Sequence, residues 1–122
     1  MKLTNEQLKL AADTIRCLAA DMIEKAKSGH PGAPLGLADL AASLWLKYLN
    51  IDPKDVAWPN RDRLVFSGGH GSALVYSLFH LAGVGDLKLD ELQTFRPIGS
   101  SSPAGTAPRS SIRSSTSPAW AA

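Results

Sequence analysis

The stretch Asn60–Gly83, NRDRLVFSGGHGSALVYSLFHLAG, decides how the rest of the chain is read. Leu64-Val65-Phe66 is apolar, too short for a helix, and bounded by Arg63 and Gly68; it fits a buried parallel strand. Ser67-Gly68-Gly69-His70-Gly71-Ser72 is a glycine turn carrying a histidine. Leu74, Val75, Leu78, Phe79 and Leu81 then recur at helical spacing, so the pattern predicts a helix over about Gly71–Ala82, stopped by Gly83 and Gly85. A strand, a glycine turn and a helix in that order bring bare backbone N–H groups to a helix start, which is a ready site for an anion.

A second loop of the same character lies upstream. Ser28–Gly36, SGHPGAPLG, holds three glycines and two prolines and cannot continue a helix. The segment before it opens on Thr4, with Gln7 placed to close a capping box. Leu8, Ala11, Ala12, Ile15, Leu18, Ala19, Met22, Ile23 and Ala26 then form one apolar stripe, with Gly29 as the expected stop. After the loop a helix is predicted over about Leu35–Leu49; its Leu44-Trp45-Leu46 run is apolar on more than one face, which asks for deep burial or a second subunit. Asn50–Asn60 is a loop by its Asp-Pro and Trp-Pro steps, and Leu89–Arg96 is a last short helix.

From Pro97 onward the composition changes. Residues 97–122 hold eight serines, five alanines and four prolines with no acid and no lysine, so they offer too little apolar surface to offset the entropy of ordering them. The expected organisation is therefore a body over 1–96 and a disordered Ser/Ala/Pro-rich tail over 97–122. The net charge of +2 is confined to that tail: Arg109 and Arg113 are its only charged residues, and the body is balanced. A neutral body argues against nucleic acid as partner. No run approaches the roughly 18 apolar residues of a membrane span. The polar start, Met1–Gln7, is no signal sequence, so a soluble cytoplasmic protein is expected. Cys17, the single cysteine, sits in a helical pattern and reads as an inert thiol.

Two Gly-flanked histidines carry the chemistry. His70, before a helix, either donates to an anion or is hydrogen-bonded locally within a tight turn. His30, held between Gly29 and Pro31-Gly32, either faces a cavity or belongs to a helix-capping loop. His80 falls mid-helix and reads as a satisfied structural histidine, and Asp62, between Arg61 and Arg63, as a charged strand-entry turn. The chain has no complete Walker A loop and no GxGxxG.

Ser28-Gly29-His30-Pro31-Gly32-Ala33-Pro34-Leu35-Gly36 resembles the first signature loop of the transketolases, and Asn60–Leu74 resembles their next one. Their order and separation match as well, over roughly residues 4–100. Within a few residues of Pro97 the sequence leaves the pattern of the family it resembles, which implies a tail over 97–122 read out of frame as the alternative to a disordered one. The related deoxyxylulose phosphate synthases are less similar in the His30 loop. The resemblance implies an α/β fold: the N-terminal part of a parallel-sheet domain that binds thiamin diphosphate, mostly helical in this stretch. It implies thiamin diphosphate and magnesium as cofactors, sugar phosphates as substrates, transfer of a two-carbon ketol unit between them, and a homodimer with sites at the subunit interface. It places His30 at the substrate and thiazolium side, and His70 beside the diphosphate. The family's Gly-Asp-Gly…Asn metal motif and its activating glutamate are not in this sequence, so no metal ligand is named and no turnover by the chain alone is expected. Two alternatives stand beside this reading: one piece of a split transketolase completed by a partner chain, and a non-catalytic interaction module.

Overall fold

The computed structural model describes residues 3–95 together with the pairs 112–113 and 117–118. Helix α1 (Asn5–Ala26) begins as the sequence asks. The Thr4 hydroxyl accepts from the Gln7 amide at 3.2 Å and the Gln7 side chain accepts from the Thr4 amide at 2.9 Å, which closes the capping box. Ala12, Ile15, Ala19, Met22 and Ala26 are its buried residues, a stripe alternating three and four residues apart. The alanines on that stripe let α2 (Gly32–Ser43) come close, and α2 answers with its own small buried residues, Ala38, Ala41 and Ala42. Arg16 fastens the pair from the rim: it bonds Asp13 on its own helix at 2.9 Å, donates to the Leu35 carbonyl at 3.1 Å and pairs with Asp39. Lys9 and Arg16 hold the Asp13 carboxyl below its ordinary value, and Asp39 pushes the Arg16 guanidinium upward.

Two boundaries fall elsewhere than expected. Helix α1 ends at Lys27, which takes the left-handed conformation (φ 50°) that closes a helix, and Gly29 serves a different purpose described below. Helix α2 starts at Gly32 rather than near Leu35, because Pro34 lies in the first turn, where its missing N–H leaves no helical bond unmade. The chain then widens into a π-helical turn over Leu44–Tyr48, closed by the Leu49 amide on the Leu44 carbonyl at 3.0 Å. Of the Leu44-Trp45-Leu46 run, Trp45 is buried, Leu44 half-buried and Leu46 exposed.

Residues 50–62 form a closed loop. The Asp62 amide donates to the Asn50 carbonyl at 2.8 Å and the Asp62 carboxylate accepts from the Asn50 amide at 2.7 Å, so Asp62 ties the loop's two ends together. Arg61 is buried beside it and donates to the Trp58 carbonyl at 2.9 Å. The strand expected at Leu64-Val65-Phe66 does not form among the described residues. A strand exists only through its ladder, and no neighbouring segment here supplies one. The three side chains alternate: Leu64 and Phe66 pack against the helical core while Val65 is 66% exposed.

Helix α3 (Ser72–Ala82) is the centre of the core and is preceded by a 3-10 turn over Gly69–Gly71. Ala73, Leu74, Val75, Ser77, Leu78 and Phe79 are all buried, and the Ser77 hydroxyl is satisfied by the Ala73 carbonyl at 2.8 Å. Phe79 meets the Trp45 ring at 5.8 Å between centroids. Gly83, at φ 70°, caps α3. The His80 ring donates through Nδ1 to the Leu87 carbonyl at 2.7 Å, which makes it the structural histidine the sequence indicated. A short α4 (Leu89–Leu92) and Phe95 close the base of the core, where Phe95 stands edge-on to Tyr76. Burial raises the Tyr76 hydroxyl above its ordinary value. Two-residue strands β1 (Ile112–Arg113) and β2 (Ser117–Pro118) pair antiparallel, Ile112 opposite Pro118. The rest of the segment expected to be disordered, 97–122, lies outside the described residues. No helix among the described residues is long and apolar enough to cross a membrane.

Candidate functional site

The two glycine loops, 40 residues apart in sequence by the positions of His30 and His70, meet in space. His30 sits between the end of α1 and the first turn of α2, and His70 sits in the 3-10 turn that leads into α3. Their rings stand edge to face with centroids 5.5 Å apart, and both are exposed. The sequence named both residues without stating that they touch.

Contacts that the sequence did not reveal hold them together. Gly71 is buried where the start of α3 abuts the start of α2: a Cβ on it would stand 3.0 Å from the Ala33 Cβ and 2.8 Å from the Phe66 ring. Its φ of −92° is ordinary, so glycine is required there for space alone. The His70 ring folds back over Gly68, with Cε1 3.3 Å from where a Cβ on Gly68 would be. Gly29, at φ 148°, passes against Ile23 and presents His30. A glycine in every one of these positions was visible in the sequence; which atom each one makes room for was not. Gly71→Ala is therefore expected to separate the two helix starts and cost about 1–3 kcal/mol, the range for overfilling a packed contact. Chemical denaturation measures this, and an unchanged midpoint would show that the junction yields freely.

The arrangement suits an anion. The Gly71 and Ser72 amides already bond back to the Gly68 and Gly69 carbonyls in the 3-10 turn, and Pro34 has no amide to offer. The attraction therefore rests on the positive partial charge that both helices carry at these ends and on the amides of Gly32 and Ala33 at the start of α2. Gly32 and Gly69 are exposed, with nothing within 4 Å of a would-be Cβ, so a ligand has room beside the backbone. Neither loop contains an acidic residue to oppose it. The Ser72 Oγ is buried at the first position of α3 and has no hydrogen-bond partner. A cradle of this kind, with two imidazoles at its mouth, fits a phosphorylated ligand. Cys17 is a free, exposed thiol on α1 and is not among these residues.

Comparison with known proteins shows the family. The family described as "Transketolase, thiamine diphosphate binding domain" matches residues 7–116. A transketolase of Halalkalibacterium halodurans is 56% identical over 95 residues, covering 78% of this chain and 14% of its own, and one of Staphylococcus aureus strain MW2 is 54% identical over 99 residues, covering 81% and 15%. Among solved structures, the transketolase of Campylobacter jejuni is similar at a TM-score of 0.75 and 53% identity, over 83% of this chain and 16% of that one. A Pichia stipitis transketolase in complex with sedoheptulose-7-phosphate matches at 0.71 and 49%, over 79% and 14%. The chain thus spans about one-seventh of the length of the relatives it matches, 14–15% of the curated ones. Across that span, with both histidine loops inside it, the chain belongs to the transketolase family by its N-terminal thiamine diphosphate-binding domain.

Proposed function

We propose that this chain supplies the diphosphate-binding corner of a transketolase, an enzyme that moves a two-carbon ketol unit between sugar phosphates. The meeting of His30 and His70 over two helix starts carries that reading. When bound, thiamine diphosphate supplies a nucleophilic carbon and an electron sink. His70, on the turn into α3, donates to the diphosphate while the two helix ends favour its charge. His30 faces the reacting end, where an exposed imidazole can hold or pass on a proton. Magnesium would screen the diphosphate, with ligands from elsewhere in the assembled enzyme. Leu64-Val65-Phe66 becomes a strand of the parallel sheet once its neighbours are present, with exposed Val65 on the side still to be covered.

Exposed Leu10, Leu40, Tyr48 and Val65 favour an assembly in which further polypeptide covers them: the rest of the domain, the second subunit of a homodimer, or a partner chain of a split enzyme. The assembled enzyme would work in the cytoplasm. Calorimetric titration of the purified chain with thiamine diphosphate and magnesium tests the reading. Binding is expected, weakened about 10–100-fold by His70→Ala, the loss of one charge-assisted hydrogen bond. Two-carbon transfer is expected to be absent until the remainder of a related enzyme is added. Binding unaffected by His70→Ala would overturn the site, and turnover by the chain alone would overturn the need for a partner.

A further inference from the structure

The same two imidazoles have the spacing of a metal pair. Zinc–nitrogen bonds of about 2.0–2.1 Å set two histidines on one tetrahedral ion at about 5–6 Å from ring centre to ring centre. His30 and His70 stand 5.5 Å apart, with planes 72° to one another. Both rings are exposed and the outer torsion of histidine is broad, so a nitrogen of each can turn toward a common point at the expense of their edge-to-face contact and of the His70 ring's place over Gly68. The backbone behind them is fixed, His30 by Gly29 and Pro31 and His70 by the Gly71 junction.

We propose that His30 and His70 together bind one divalent ion of the zinc class. Among the described residues no group of three or more His, Cys, Asp or Glu side chains could hold a metal, so the remaining coordination positions fall to water or to an anion's oxygen. The electrostatics select the anion. Two helix starts repel a bare cation but attract a phosphate oxygen, and an ion that brings such an oxygen with it satisfies both. Neutral imidazole is a good ligand for zinc, copper and nickel, and a poor one for magnesium or calcium, which prefer oxygen. The ion therefore differs in kind from one that screens a diphosphate. Its consequence, which alone rests on the function proposed above, is inhibition: imidazoles committed to zinc are lost to phosphate and to proton transfer.

Calorimetric titration of the full chain with zinc chloride, with and without inorganic phosphate, decides the matter. One ion per chain is expected, held more tightly when phosphate is present. His30→Gln and His70→Gln, both at exposed positions, are each expected to weaken it at least about tenfold; losing a partner of a zinc ligand already costs about 10–100-fold, and losing the ligand costs no less. Cys17→Ser is expected to leave it unchanged. In proton spectra zinc should move the ring signals of His30 and His70 together and leave those of His80, tied to Leu87, in place. No saturable binding, loss on Cys17→Ser, or full affinity in either glutamine variant overturns the site.

Discussion

Phe79→Ala is expected to lower the unfolding free energy by about 3–5 kcal/mol, the range for deleting a buried aromatic ring. Phe79 is 3% exposed, sits in the middle of α3 and meets Trp45 from the π-helical turn. Its ring therefore ties α3 to the π-helical turn that continues α2. A domain of this kind holds about 5–15 kcal/mol in total, so the variant approaches or crosses its limit of stability. Urea unfolding followed by tryptophan fluorescence measures the loss directly, with Trp45 itself reporting. Two neighbours calibrate it. Leu81→Ala, at 45% exposure on the same helix, should stay within about 0.5 kcal/mol, and Phe79→Leu should cost less than Phe79→Ala because it keeps most of the volume. A Phe79→Ala variant that unfolds within about 1 kcal/mol of the parent would mean that the core is organised around some other contact.

What the sequence made legible is what local chemistry decides. The capping box at Thr4 and Gln7, the stripe of α1 and the helix after His70 depend on residues a few positions apart, and each lies where its pattern put it. So do the two candidate histidines, marked by their glycine and proline neighbours. What was not legible depends on distant partners. Leu64-Val65-Phe66 has strand composition, but composition cannot supply the hydrogen-bonded neighbour, and the stretch stays unpaired by a ladder among the described residues. Lys27 rather than Gly29 closes α1 because the chain needs its glycine two residues later, where it passes Ile23. The contact of Gly71 with Ala33, which brings His30 to His70, joins residues that no periodicity relates.

Gly29→Ala is expected to damage both the fold and the site, since two independent penalties meet at one atom. The backbone at φ 148° is glycine territory, and forcing another residue there costs about 1–3 kcal/mol. The added Cβ would also stand 2.8 Å from Ile23 Cγ1 and 3.3 Å from Cγ2. Ile23 is branched and helical, hence nearly locked in one rotamer, and it packs against the core, so it cannot swing aside; overfilling costs about a further 1–3 kcal/mol. The double variant Ile23→Ala with Gly29→Ala separates the two. It should recover the steric part and leave the backbone part, giving a coupling of about 1–3 kcal/mol in a double-mutant cycle. The chain's other escape is to move the loop, and the next residue is His30. Whatever stability the single variant retains should therefore come with the His30 ring drawn away from His70, seen as loss of the close proton contacts between the two imidazoles. Intact contacts together with unchanged stability would show that the loop accommodates a side chain at this position, and that His30 is held by Pro31 and the start of α2 instead.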